Sequence, residues 1–288
     1  MKSTKRKKDT EGAVRDRVVP RAETAMSSPY LPPEILDYIV DFLHDDPDAL
    51  KKICLVSKSW IPRTRGHLFA KVELRYEVHL KSWKKIFSDP STSPAHFTKS
   101  LHIGCARAVV TSDAEVGNWL TGFTHIVRLG VETRGAYCGG PAVSLVPFHG
   151  FSRTIKSLRI KSVDYAPSQI FGFILSSPLL EDLNLVGCET SIDDGDGSDG
   201  PSTFVRSSNP PVLTGSLKLF LEGGMRPIAS RLLSIPGGIH FRNLTLTWNL
   251  VEDLLSITAL VGTCSRTLES LTVTCNLDGT PVRYLHPR

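Results

Sequence analysis

Four aspartates lie close together in a segment rich in glycine and serine, where their carboxylates could bind Ca²⁺. They are Asp193, Asp194, Asp196 and Asp199. An EF-hand loop would need glycine at position 199 and a closing glutamate at position 205, which is Val205. We therefore interpret residues 189–211 as an acidic surface loop without a bound metal. A mobile acidic loop of this kind would favour a basic partner.

Other patterns associated with catalysis lack the context that they need. Residues 195–200 match G-x-G-x-x-G, but no helical pattern follows and the aspartates among them would repel phosphate. The sequence contains no G-x-S-x-G, no H-E-x-x-H and no phosphate-binding lysine loop. Four histidines are scattered singly: His102, His125, His149 and His240. We expect a protein that is not an enzyme and has no catalytic, metal-binding or cofactor-binding residues.

The six cysteines are also scattered, with neither a C-x-x-C pair nor a histidine at metal-ligand spacing. They are Cys54, Cys105, Cys138, Cys188, Cys264 and Cys275. A chain of 288 residues can bury enough apolar surface to fold without disulfides. Reduced and mostly buried thiols are therefore expected.

Much of the net charge of +5 lies near the N-terminus, where residues 1–30 contain eight basic and four acidic side chains. We predict that residues 1–28 form a disordered basic tail, in which Lys5–Lys8 could act as a nuclear import signal. The nearly neutral remainder argues against a nucleic-acid-binding face. The sequence also has no apolar run of about 18 residues and no secretion signal. A cytoplasmic or nuclear protein that binds neither nucleic acid nor membrane is expected.

Ordered structure is predicted to begin at Leu31, followed by Pro33 and Glu34 at the start of a helix. Helically spaced apolar residues follow: Ile35, Leu36, Ile39, Val40 and Leu43. A second helix is predicted from about Asp46 towards Val56, and a third after Pro62. Three helices in about 40 residues enclose too little interior to cover all these groups, which implies a binding partner.

The string from Leu31 to Leu36 (L-P-P-E-I-L), then Leu50 and the run L-V-S-K-x-W ending at Trp60, resembles the F-box, especially its fungal form. The resemblance covers residues 29–70. It implies docking on a Skp-family adaptor that carries a cullin. The implied adaptor contacts are Leu31, Pro32, Ile35, Leu36, Ile39, Leu50, Leu55, Val56 and Trp60. For Ile39, as for Leu43 and Ile53, packing within the three helices is an equally good interpretation.

After residue 70, apolar-x-apolar triplets recur about every 27 residues, which indicates stacked units that bury their apolar faces against one another. The triplets are Val72/Leu74, Leu101/Ile103, Val127/Leu129, Leu158/Ile160, Leu183/Leu185, Leu217/Leu219, Leu244/Leu246 and Leu271/Val273. Helices are predicted between some of them, at 170–175, 228–233 and 250–261. For residues 104–150 an independent α/β domain is the alternative.

Three units match a fuller pattern, L-x-x-L-x-L followed by Cys or Asn, and resemble leucine-rich repeats. They begin at Leu180, Phe241 and Leu268 and end at Cys188, Asn249 and Asn276. We therefore predict an α/β chain, in which a three-helix F-box module precedes an irregular leucine-rich-repeat solenoid at 71–288 with a parallel strand-lined face. The chain ends soon after Val273, so we expect the last strand to lack a cap and to be less protected.

These resemblances imply a substrate-receptor subunit of an SCF-type cullin-RING ubiquitin ligase. The F-box would dock the adaptor and, through it, the cullin, while the repeats would bind an unknown client protein. The alternative is an F-box scaffold or nuclear protein-interaction protein that works outside any ligase.

Overall fold

A computed structural model describes the protein at residues 31–89, 92–104, 119–132, 145–161, 167–187, 211–221, 224–248, 250–275 and, for the backbone alone, 282–285. The predicted disordered tail (1–28) lies outside the described residues, as does the acidic loop predicted at 189–211 apart from its last residue. Cys188, Asn249 and Asn276, which close the three fuller repeat patterns, lie outside them as well.

Three short helices open the described chain: α1 (Pro33–Phe42), α2 (Pro47–Ile53) and α3 (Ile61–Leu68). Each has proline in its first turn, where the missing N–H has no intrahelical partner to lose. The carboxylate of Asp46 caps α2 by accepting hydrogen bonds from the N–H groups of Asp48 (3.1 Å) and Ala49 (2.9 Å). We call α1–α3 the helical module.

Helix α2 is shorter than the sequence indicated. It ends at Ile53 instead of continuing towards Val56, so Leu55 and Val56 lie in the turn that leads to a short 3₁₀ helix at Lys58–Trp60. Ser57 caps that 3₁₀ helix through its side chain, which accepts from the N–H of Ser59. A polar residue that caps the next segment competes with continuation of the preceding helix.

The rest of the described chain is built on one sheet of nine strands that follow one another in sequence order. The strands are β1 (Lys71–Leu74), β2 (Ser100–Ile103), β3 (Arg128–Glu132), β4 (Ser157–Lys161), β5 (Asp182–Val186), β6 (Ser216–Phe220), β7 (Asn243–Trp248), β8 (Ser270–Cys275) and β9 (Val282–Leu285). Strands β1–β8 pair in parallel. The fold is therefore α/β, as predicted, and each crossover advances the sheet by one strand.

The register aligns two buried columns of aliphatic side chains across the parallel strands. Leu101, Leu129 and Leu158 belong to one column, and Ile103, Val131 and Ile160 belong to the other. All six are essentially inaccessible to solvent. Because side chains alternate across a strand, the residues between them point to the opposite face, which we call the outward face.

Strand β3 corrects the predicted third triplet by two residues. Leu129 and Val131 occupy the buried columns, and Val127 precedes the strand. The shifted register also changes the preceding and following spacings to 28 and 29 residues, so the recurrence is more even than the sequence suggested. Both registers keep the same face buried, because a shift of two residues preserves the alternation.

A repeated main-chain contact fixes the entrance to successive strands. The carbonyl of Lys99 accepts from the N–H groups of Val127 (2.8 Å) and Arg128 (2.9 Å), and that of Val127 accepts from the next strand's Lys156 (2.8 Å) and Ser157 (3.1 Å). The same two-donor contact recurs before β2, β5, β7 and β8. One carbonyl thus satisfies two N–H groups of the following unit, which holds neighbouring units at constant register.

Four helices of the described chain accompany the sheet: α4 (Glu77–Ile86), α5 (Pro167–Leu175), α6 (Arg226–Leu233) and α7 (Asp253–Cys264). The last three confirm the helices predicted between triplets. Helix α6 contacts both α5 and α7, and its Ile228 and Leu232 belong to the core formed by the two aliphatic columns. The buried carboxylate of Asp253 at the start of α7 accepts from the N–H of Met225 (2.6 Å), which joins consecutive units.

Strand β9 pairs antiparallel with β8, so β8 is not an uncovered edge of the sheet as expected. Leu271 and Val273 of β8 are only half-buried, and the lower protection expected for this strand stays a prediction. The described part of residues 104–150 joins the common sheet through β3 instead of forming an independent domain. Among the described cysteines, Cys54, Cys264 and Cys275 are free thiols. Only Cys264 is buried, where desolvation raises its pKa, and the other two are half-buried.

Candidate functional site

An apolar stripe runs along the solvent side of α1. Ile35, Ile39 and Phe42 stand at helical spacing, and Leu31 precedes them by one turn. Leu31 is 50% exposed, Ile35 47% and Phe42 78%. An isolated aliphatic side chain at a surface is ordinary, whereas a stripe of them along one helix indicates a partner surface. We call Leu31, Ile35, Tyr38, Ile39 and Phe42 the α1 stripe.

The opposite side of α1 packs inward. Val40 is buried, while Leu36 and Leu43, four residues before and three after it, are half-buried. Apolar residues therefore cover more than half of the circumference of this helix, and Glu34, Asp37 and Asp41 occupy the rest, yet α2 and α3 can cover only one side of it. The exposed stripe is a consequence of module size, because three short helices have too little interior for both sides.

The structure separates the nine predicted adaptor contacts by exposure. Six are exposed: Leu31, Pro32, Ile35, Ile39, Leu55 and Val56. Leu36 and Trp60 are half-buried, and Leu50 is 1% exposed. The side chain of Leu50 fills the interior of the helical module, so its contact with an adaptor stays a prediction that the burial does not favour.

Two residues of the α1 stripe, Tyr38 and Phe42, were missed by the sequence reasoning. Both are among the most exposed large side chains of the module, Tyr38 at 71%. The signal was present in the sequence, since Tyr38 and Phe42 continue the spacing that starts at Ile35. The sequence analysis named Ile35 and Ile39 of this stripe but did not extend it to Tyr38 and Phe42.

Helix α1 is tied to α3 by the carboxylate of Asp41. The Nε of Arg63 donates to Oδ1 of Asp41 (2.7 Å), a second guanidinium nitrogen of Arg63 contacts Oδ2, and His67 Nε2 lies 2.8 Å from Oδ1. Hydrogen bonds from Arg63 and His67 hold the pKa of the Asp41 carboxyl well below its usual range. Behind this contact, the buried hydroxyl of Thr64 donates to the carbonyl of Trp60 (2.6 Å).

The helical module and the sheet have distinct interiors in the described residues. Val40 and Leu50, which are buried in the module, are not part of the continuous core that spans the sheet from Val72 onward. The two parts touch where α3 contacts the 3₁₀ helix at Pro94–Phe97. The α1 stripe therefore lies on a unit that has a buried interior of its own.

A groove of about 780 Å³ lies at this junction, and three histidines that are distant in sequence line it: His67, His96 and His125. The Nδ1 atoms of His96 and His125 lie 3.0 Å from the main-chain carbonyls of Ser93 and His96, respectively. Across the described ranges, no group of three His, Cys, Asp or Glu side chains is arranged to hold a metal ion. None of the described helices is both long and apolar enough to cross a bilayer.

The outward face of β1–β4 carries a second feature, a polar recess of about 400 Å³. Glu132 is buried at its base, where Lys161 Nζ donates to Oε1 (3.0 Å) and His102 Nε2 lies 3.4 Å from Oε2. Burial lowers the pKa of His102 despite the nearby carboxylate, which favours the neutral imidazole. The sequence reasoning treated His102 as an isolated residue and did not find this cluster.

Searches against protein-family models, curated proteins and solved structures found no match. The functional assignment therefore depends on the geometry of this chain and on the motifs in its sequence.

Proposed function

We propose that this chain is the substrate-receptor subunit of an SCF-type cullin-RING ubiquitin ligase. The helical module would act as an F-box that docks a Skp-family adaptor, and the sheet, built from divergent leucine-rich repeats, would hold a client protein. The α1 stripe carries the proposal, because the exposed apolar residues lie in the segment whose sequence resembles the adaptor-binding part of an F-box.

Energetics favour a partner on this stripe. Covering one large aliphatic or aromatic side chain contributes about 1.5 to 3 kcal/mol, so a few such residues can offset the entropic cost of association. The stripe is also presented on a helix that is already formed and that the contact of Asp41 with Arg63 joins to α3. A preformed surface loses little conformational entropy on binding.

The sheet supports the second half of the proposal. Its parallel strands advance in sequence order and leave one face free of the two buried aliphatic columns. Stacked units of this kind present extended binding surfaces. In this arrangement the receptor contributes proximity instead of chemistry, since it would hold a client beside a conjugating enzyme supplied by its partners.

The test is a pull-down of the full chain on purified Skp-family adaptor, with the cullin detected in the bound fraction. The double variant Leu31→Ala/Ile35→Ala should lose at least about tenfold in adaptor affinity, since two exposed anchors are removed. A matched control, Leu254→Ala/Leu255→Ala, removes two exposed leucines from α7 and should bind as the wild type does.

The outcomes separate the alternatives. Wild-type protein that binds neither adaptor nor cullin, or equal binding by both double variants, would contradict the proposal. Adaptor recovered without cullin would favour the ligase-independent scaffold. Circular dichroism of each variant shows whether lost binding reflects lost folding.

A further inference from the structure

The polar recess on the outward face of β1–β4 has an excess of positive charge. Two acidic and five basic residues line it, and with a neutral His102 three positive charges remain uncompensated. The lining charges are Lys71, Glu73, Arg75, Arg128, Glu132, Arg159 and Lys161. An excess of this kind in a recess attracts an anionic group.

The two glutamates are already paired. Lys71 Nζ lies 2.6 Å from Glu73 Oε1, and Arg75 Nε donates to Glu73 Oε2 (2.6 Å). Glu132 is held by Lys161. The side chains of Arg128 and Arg159, in contrast, are exposed and form no ion pair or hydrogen bond with any described residue. These two guanidinium groups carry the charge that a ligand would meet.

The arrangement of the two arginines matches an extended chain. Arg128 pairs in register with Ser157, two residues before Arg159 on the neighbouring strand. Strand spacing and rise place their Cα atoms about 8 Å apart, close to the roughly 7 Å between alternate side chains of an extended peptide. Each planar guanidinium can form two parallel hydrogen bonds with one carboxylate.

Gly130 lies on the outward face of β3, in register with His102 and Arg159. A Cβ at position 130 would lie 2.5 Å from Nδ1 of His102, so a side chain there would displace this imidazole from its place beside Glu132.

We infer that this recess is the client-binding site and that it binds an extended peptide with carboxylate side chains at alternate positions. The inference deepens the proposed receptor function by naming the chemistry of the client. A nucleic acid fits less well, because the outward positions of β1–β4 carry no Phe, Tyr or Trp side chain on which a base could stack.

The test uses fluorescence anisotropy on the full chain with a labelled nine-residue peptide. The probe has glutamate at two alternate positions in a Ser/Thr/Gly background, and the reference peptide has glutamine there. Wild-type protein should bind the glutamate peptide at least about tenfold more tightly, since each arginine can form charge-assisted hydrogen bonds with a glutamate carboxylate that a glutamine amide cannot match. The preference should weaken with salt.

Two variants with equal change in net charge localise the effect. Arg128→Gln/Arg159→Gln should abolish the preference for glutamate. Lys218→Gln/Arg226→Gln, which removes two exposed charges outside the recess, should retain it. Equal affinity of the wild type for both peptides, or equal loss in both variants, would overturn the inference. Tighter binding of a phosphoserine peptide or of a single-stranded oligonucleotide than of the glutamate peptide would overturn it as well.

Adaptor binding is measured on the same variants. It should be unchanged in Arg128→Gln/Arg159→Gln, because the α1 stripe lies on the separate helical module. Loss of peptide binding with adaptor binding intact would therefore concern the client site alone. Absence of adaptor binding by wild-type protein that still prefers the glutamate peptide would instead contradict the receptor function.

Discussion

At the scale of single residues, burial decides which leucines of the helical module stabilise it and which are available to a partner. Leu50 and Leu55 are five residues apart and identical in chemistry, but Leu50 is 1% exposed and Leu55 is 88% exposed. The motif resemblance assigned both to the adaptor surface. Their packing assigns them different roles.

We predict that truncating the two leucines to alanine affects different properties. Leu50→Ala should lower the stability of α1–α3 by about 2 to 4 kcal/mol, because it leaves a cavity in a small interior. Leu55→Ala should change stability by less than about 0.5 kcal/mol while weakening adaptor binding. Amide hydrogen exchange of the helices measures the first effect and a pull-down the second. Similar stability changes in both variants would contradict the assignment.

The outward cluster shows why sequence reasoning missed part of the candidate site. His102, Glu132 and Lys161 lie about one repeat apart, so no local motif joins them. Register alone brings them together, since Glu132 pairs with Lys161 across β3 and β4. The predicted triplet at Val127 and Leu129 displaced β3 by two residues. It therefore did not place Glu132 opposite Lys161, its true partner in register.

At the scale of elements, alternating apolar residues predicted the parallel strands correctly but left one register undetermined. Val127, Leu129 and Val131 are all apolar at alternate positions, so two triplets fit the pattern equally well. The main chain resolves the choice, because the carbonyl of Val127 accepts the N–H groups of Lys156 and Ser157 at the strand entrance. Hydrogen-bond geometry of this kind is not encoded in hydrophobic periodicity.

The tie between α1 and α3 leads to a prediction at the same scale. Asp41→Asn removes the charge that Arg63 and His67 contact, so amides of α1 should exchange faster than in the wild type. The control Asp45→Asn removes the highly exposed carboxylate that faces His44, and it should change exchange little. Equal exchange in the two variants would show that this contact does not hold α1.

The same contact has a defined pH dependence. The folded-state pKa of Asp41 is lowered, so its stabilising contribution is fully present above the ordinary carboxyl pKa of about 4. It is lost as the pH falls through the acidic range towards the lowered pKa, because the unfolded chain then binds the proton more readily. In the Asp41→Asn variant, exchange of the α1 amides should lack this acid-dependent increase.

At the scale of the whole molecule, the recurrence of about 27 residues was sufficient to predict an α/β sheet in sequence order. The antiparallel β9 was not predictable by this reasoning, because Val282–Leu285 follows no repeat spacing. Between them, the sheet and the helical module place the α1 stripe and the polar recess on separate units. The proposed docking of an adaptor and the proposed capture of a client would then not compete for one surface.

Because the helical module and the sheet have separate interiors, we predict that a destabilising substitution in one of them leaves the other folded. Val40→Ala, in the helical module, should accelerate amide exchange in α1–α3 and leave β3–β5 unchanged, because Val40 lies outside the sheet core. Leu158→Ala, between Leu129 and Leu183 in a buried column, should destabilise the central strands by about 2 to 5 kcal/mol and spare the helices. The main link between the two units, among the described elements, is the contact of α3 with Pro94–Phe97. Accelerated amide exchange in β3–β5 of the Val40→Ala protein would mean that the two units unfold together. In that case, a loss of binding in α1 variants could not be assigned to the α1 stripe alone.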